Sequence, residues 1–157
     1  AMSEPLATYW DSCVFIDALR KTPGRWEHIR YLEDDAKSGG SYIYTSTLTI
    51  AEVVRCKDDE TFTDAERRLI ANYFTHSFVK IIPVDRIVAR AAADIVRVHR
   101  LKPPDAIHVA TALRAKCAVL YTYDGVDGGG LLAKHDQIGT PTLPIKRPGE
   151  FGQMQFA

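Results

Sequence analysis

The 157-residue sequence contains no run of about 18 apolar residues, and its N-terminus lacks the basic stretch, apolar core and small-residue cleavage site of an export signal. The expectation is a soluble, cytoplasmic protein with no membrane partner. Cysteine is scarce: Cys13, Cys56 and Cys117 are odd in number, far apart and without a C-x-x-C pair, which leaves no local zinc or redox motif and points to reduced thiols in the core. An excess of one charge is also missing, since 20 basic residues balance 20 acidic ones. A strongly basic nucleic-acid coat is thereby excluded. Glycines 128 to 130 match neither a dinucleotide fingerprint nor a phosphate-binding loop, and no local Ser-His-Asp or Cys-His signature supports a covalent nucleophile.

What is present is a chain of strands alternating with helices. With 46% hydrophobic and 25% charged residues, it has the size and composition of one domain, residues 2–157, with Ala1 ahead of Met2 reading as a tag remnant. Ala7 to Trp10 reads as a strand ending at Asp11, and Val14 to Leu19 continues apolar up to the Thr22-Pro23-Gly24 turn. Helical spacing of Trp26, Ile29, Leu32 and Ala36 predicts a helix over 25–37 that stops at Gly39-Gly40. Tyr42 to Thr45 is a second strand. Leu48 to Val54 is a helix opened by Thr47 or Thr49, with Glu52 in its first turns.

Lys57 to Thr63 reads as a loop, and Thr63 with Glu66 forms a capping box for the next helix. Lys80 to Val84 is a third strand. Residues 86–100 form a helix whose apolar face comprises Ile87, Val88, Ala91, Ala92, Ile95 and Val96; Arg86, Arg90, Arg97 and Arg100 either follow a nucleic-acid backbone or form a solvated face. Pro103-Pro104 starts a helix at Asp105, Ala118 to Thr122 is the fourth strand, Asp124 lies just beyond it, and Thr142 to Ile145 is a fifth. Such alternation predicts a three-layer α/β/α fold around a mainly parallel sheet, whose sites lie at the carboxyl ends of strands.

Asp11, Glu52, Asp105 and Asp124 all fall where such an edge would gather them. Carboxylates without neighbouring His or Cys ligands suit Mg²⁺ or Mn²⁺ better than zinc. Crowding them is costly: two carboxylates about 5 Å apart repel by roughly 3 kcal/mol at an effective dielectric of about 20, so at least one should titrate high. Each has a plainer reading. Asp105 serves equally as a helix-start acid, Glu52 as a salt-bridge partner of Arg55, Asp11 as a strand-end acid and Asp124 as a turn residue. Asp17 is read as structural. His108, three residues after Asp105 on a similar face, either touches the site or sits in the core.

The segments Trp10-Asp11-Ser12-Cys13-Val14, Thr49-Ile50-Ala51-Glu52-Val53, Pro103-Pro104-Asp105-Ala106-Ile107-His108 and Tyr121-Thr122-Tyr123-Asp124 resemble, in order, the motifs of PIN domains. The resemblance spans roughly Ala7 to Ile145. It implies the PIN fold and a magnesium- or manganese-dependent endoribonuclease similar to VapC toxins, which act on RNA, are commonly homodimeric and are held inactive by a cognate antitoxin. By this resemblance Asp11, Glu52 and Asp105 are the primary metal ligands and Asp124 a direct or water-mediated one. Ser12 and Thr122 are placed to orient them. After Asp124 the chain departs from many relatives, so that Asp127 is an undecided ligand. The competing readings are a housekeeping RNA-processing nuclease, a PIN module that binds RNA or protein without cutting, and an unrelated acidic phosphotransferase or phosphatase.

Overall fold

The computed structural model describes residues 4–54, 61–125 and 130–151. Its centre is a five-stranded sheet made of β1 (Leu6–Trp10), β2 (Ser41–Ser46), β3 (Val79–Ile82), β4 (Val119–Tyr121) and β5 (Ile145–Lys146), in the order β3-β2-β1-β4-β5. Every pairing is parallel. Parallel neighbours need crossovers, and six helices supply the layers: α1 (Ser12–Arg20), α2 (Trp26–Lys37), α3 (Thr47–Glu52), α4 (Asp64–Tyr73), α5 (Arg86–His99) and α6 (Pro103–Arg114).

Both faces of the sheet are covered, and the pleat of β1 and β4 sorts their side chains between two cores. Trp10, Val119 and Tyr121 pack with Val14 and Phe15 of α1, Ile29 and Leu32 of α2, and Ile70 of α4. Tyr9 and Leu120 pack with Val88, Ala92 and Ile95 of α5 and with Ala106, Val109 and Ala110 of α6. Trp10, Tyr9, Tyr121, Phe15 and Leu120 are almost entirely withdrawn from water. Each such side chain contributes about 1.5–3 kcal/mol through burial. The three-layer α/β/α arrangement expected from the sequence is the one observed.

Local signals account for most element ends. The capping box at α4 forms as expected, Thr63 accepting from the Glu66 N–H and Glu66 from that of Thr63. Prolines occupy the first positions of α6, where no intrahelical N–H is required. Four expectations change. The apolar stretch after Asp11 is helix α1, because its hydrophobic residues feed one sheet face at helical spacing. Helix α3 is capped by Ser46, which accepts from the Leu48 N–H, so Glu52 falls at its last residue instead of in its first turns. The fifth strand shrinks to Ile145–Lys146. On α5, Ile87 and Ala91 are exposed, and the core is reached by Val88, Ala92 and Ile95, with Val96 packed at its margin; Arg86, Arg90, Arg97 and Arg100 are exposed.

Candidate active site

The sheet order places a topological switch between β1 and β4, where successive crossovers leave in opposite directions. A crevice opens there at the carboxyl ends. Trp10 is in register with Tyr121, so the next residues, Asp11 and Thr122, stand side by side at its floor. The Asp11 N–H donates to the Tyr121 carbonyl, and the Thr122 hydroxyl donates to Asp11 Oδ2 at 2.5 Å. Cys13 Sγ donates to the other carboxylate oxygen at 2.8 Å. Asp11 is 4% exposed, and burial raises its pKa against the opposing pull of His108, the Cys13 and Thr122 bonds and the Val14 N–H.

Asp124 is tied to the same hub. Its N–H donates to Thr122 Oγ1 at 2.9 Å, while the Leu131 N–H donates to its Oδ2 at 3.3 Å. Gly130, at φ +67°, makes that approach possible, since a Cβ there would stand 2.5 Å from Asp124 Oδ2. Glu52 arrives from the other side of β1. The Thr45 hydroxyl donates to the Trp10 carbonyl and lies 2.7 Å from Thr49 Oγ1, locking α3 over the end of β1. Glu52 Oε1 then meets His108 Nε2 at 2.7 Å, and His108 Nδ1 meets the Tyr9 hydroxyl at 2.7 Å. Burial holds the Tyr9 phenol protonated well above its usual range, and both ring nitrogens of His108 are engaged, Nδ1 by the Tyr9 hydroxyl and Nε2 by the Glu52 carboxylate.

Asp105, in the first turn of α6, completes the set. Its pKa is pushed up to about 6, first by burial and then by Asp124, with Asp11 and Glu52 adding to the rise and His108 opposing it. The four acids from distant positions therefore share one electrostatic neighbourhood. Their donor set is oxygen alone, because both nitrogens of His108 are engaged, and such crowded carboxylates fit a hard divalent cation. Among the described residues, no group of three or more His, Cys, Asp and Glu side chains is gathered tightly enough to grip an ion as it stands. Asp11 is turned onto Cys13 and Thr122, Glu52 onto His108, and Asp124 onto the Leu131 N–H.

Of the supporting residues expected from the sequence, Thr122 and His108 are in place, whereas Ser12 makes no side-chain hydrogen bond among the described residues. Its role falls to Cys13, expected as a simple core thiol, because the first turn of α1 directs position 13 back to Asp11. The partner of Glu52 is His108; Arg55 and Asp127 lie outside the described residues. Tyr9 and Gly130 were not legible as site residues, since one reads as an ordinary strand aromatic and the other as the end of a glycine run.

A protein-family model described as the PIN domain matches residues 8–126, which takes in all four acids. The chain belongs to the PIN-domain family. A comparison with curated protein sequences finds no match. Solved structures share the PIN fold. A toxin–antitoxin complex from Klebsiella pneumoniae is 20% identical with a TM-score of 0.57, over 79% of this chain and 92% of that one. VapBC2 from Rickettsia felis, bound to a DNA fragment from its promoter, is 16% identical with a TM-score of 0.60, over 89% of this chain and 98% of that one. VapC20 from Mycobacterium tuberculosis, a toxin that cleaves the sarcin–ricin loop, is 15% identical with a TM-score of 0.59, over 79% and 96%. No helix among the described residues of this PIN domain is long and apolar enough to cross a membrane.

Proposed function

We propose that this PIN domain is a metal-dependent endoribonuclease and the toxin of a VapBC-type toxin–antitoxin pair. On this reading it is cytoplasmic, acts as a homodimer and is neutralised by a cognate antitoxin. Membership of the PIN-domain family supports the nuclease class. The observation that carries the site is the convergence of Asp11, Glu52, Asp105 and Asp124 on the crevice at the ends of β1 and β4, where burial and then Asp124 push Asp105 up to about 6. Fold similarity to VapC20 and to two toxin–antitoxin assemblies supports the RNA substrate and the antitoxin.

Asp11, Glu52, Asp105 and Asp124 would hold Mg²⁺ or Mn²⁺. When bound, the cation supplies charge neutralisation at the scissile phosphate and a water of lowered pKa. The residues do the positioning. Thr122 and Cys13 fix the Asp11 carboxylate, and His108, backed by Tyr9, fixes that of Glu52. Asp105, pushed up to about 6 by burial and by Asp124, is ionised at neutral pH and so available to the cation. Attack by water instead of the ribose 2′-OH, with the P–O3′ bond breaking and the departing 3′ oxygen taking up a proton, would leave 5′-phosphate and 3′-hydroxyl ends.

The test is cleavage of structured and single-stranded RNAs with Mg²⁺ or Mn²⁺, with EDTA and Asp105→Asn as controls. Cleavage abolished by both controls, with 5′-phosphate products, is the expected result; 2′,3′-cyclic phosphate ends reject the mechanism. Growth arrest on induction, relieved by co-expressing the neighbouring gene, separates a toxin from a housekeeping nuclease.

A further inference from the structure

Tyr123, the residue before Asp124, is 6% exposed, and its phenol hydroxyl has no hydrogen-bond partner among the described residues. Leaving a buried donor unsatisfied costs about 1–3 kcal/mol, so such a group invites a ligand acceptor. Tyr123 lines a cleft of about 280 Å³ together with Gly24, Arg25, His28, Arg147 and Gly149. A second donor or acceptor in the same wall, His28 Nδ1, is also buried and unpartnered.

The cleft is built and not incidental. Arg25 lies over the Tyr123 ring, its guanidinium carbon 4.1 Å from the centroid. It is held there by Asp17, whose carboxylate accepts from Arg25 at 2.8 Å and from the Thr22 hydroxyl at 2.7 Å. That bond uses one guanidinium nitrogen and leaves donors of Arg25 available. Arg25 also precedes helix α2, which opens without a side-chain cap, so the positive end of the helix dipole falls on the same wall. Gly149, at φ +95°, gives the His28 ring its room: a Cβ there would stand 2.5 Å from Nδ1. Arg147 completes the wall from the far side of β5. Its partner Glu150 lies within the cleft, but this is a half-exposed pair, the type an incoming anion displaces at little cost.

The donors ask for an acceptor-rich, anionic group. Beyond Arg147, a second cleft runs to Gly125, the residue after Asp124, and also contains Lys146 and His135. The two clefts thus flank the end of β4, where the acidic crevice lies. We propose that the cleft of Tyr123, Arg25, His28 and Arg147 is a phosphate-binding subsite that grips a backbone phosphate of the RNA beside the one being cut. This rests on the ribonuclease reading above, and it accounts for how a chain without excess basic charge holds a polyanion. Cations are concentrated where one neighbouring phosphate must sit, and the acids are left free for the scissile one.

The test is binding of a fluorescently labelled single-stranded oligoribonucleotide, followed by anisotropy on the Asp105→Asn background, with cleavage followed in parallel on the wild-type background. Tyr123→Phe keeps the ring beneath Arg25 and removes only the hydroxyl; Arg147→Gln removes the charge of a half-exposed side chain paired with Glu150. Each should weaken binding about 3- to 10-fold, and Arg147→Gln should lower the slope of log Kd against log salt by about 0.7–0.9. Lys37→Gln, the same loss of charge at the far end of α2, should change neither. If the wild type cuts RNA but both cleft variants bind as tightly as their parent, the subsite is wrong and the nuclease stands. If RNA binds through the cleft but is never cut, the subsite stands and the nuclease reading fails. Absence of binding by the parent overturns both.

Discussion

His108 and Glu52 are joined by a 2.7 Å hydrogen bond between Nε2 and Oε1, although 56 residues separate them and the imidazole is almost wholly buried. The bond turns a helix-end glutamate toward the crevice, and Tyr9 behind the ring makes the arrangement rigid. A half-exposed Glu52 alone would sample many rotamers, and the cost of ordering it would fall on substrate or cation binding.

Removing this support should therefore separate stability from activity. His108→Ala leaves a cavity and strips two hydrogen bonds, for a loss of about 2–4 kcal/mol. Tyr9→Phe removes one bond and keeps the packing, costing about 1 kcal/mol. Denaturant unfolding checks both values. RNA cleavage by Tyr9→Phe should fall while its fold persists, and unchanged cleavage would show that the Tyr9–His108 link does not position Glu52.

The pH dependence follows from Asp105. Its folded pKa lies above the unfolded carboxylate value, at about 6, so the folded state holds the extra proton. Stability from this group is greatest when it is protonated and declines as pH rises from about 4 to about 6, then levels off. Asp105→Asn mimics the protonated form. In EDTA at pH 7.5 the variant should melt about 2–4 °C above the wild type, with the gain vanishing near pH 4. Scanning calorimetry at the two pH values decides this. Cation affinity should rise across the same interval, because the proton competes with the ion.

Gly130 should be intolerant of any side chain. A Cβ would collide with Asp124 at 2.5 Å, and φ +67° is strained for alanine. Gly130→Ala is expected to displace the Asp124 carboxylate and to reduce kcat by about tenfold or more, equivalent to about 1.4 kcal/mol. Circular dichroism should remain unchanged, which would assign the loss to the site and not to the fold.

Cys13 is expected to act as a hydrogen-bond donor and not as a nucleophile. Burial and the adjacent Asp11 raise its thiol pKa well above the ordinary value, so it carries no thiolate at neutral pH. Cys13→Ser, which retains a donor, should keep most of the activity. Cys13→Ala should lose more, because Asp11 then keeps the Thr122 hydroxyl and the Val14 N–H but loses the donor on Oδ1. Equal activities in the two variants would remove Cys13 from the positioning of Asp11.

Local periodicity and termination signals were sufficient to read the order of strands and helices except for α1, the capping box of Thr63 and Glu66, the proline start of α6 and the placing of Asp11 and Asp124 at strand ends. These features are written over a few consecutive residues, where turn chemistry and the alternation of apolar side chains act directly. The four acids could also be put forward as candidates, from their places at strand ends and helix starts and from the resemblance of their motifs. Their partners could not. Asp11 meets Thr122 across 111 positions, Tyr9 meets His108 across 99, and Arg25 is brought over Tyr123. Such contacts are decided by the strand order β3-β2-β1-β4-β5 and by the register of Trp10 with Tyr121, to which no short window of sequence is sensitive. The same reason explains Ile87, apolar by pattern yet left in water: the angle at which α5 packs determines which residues of a broad apolar stripe reach the core.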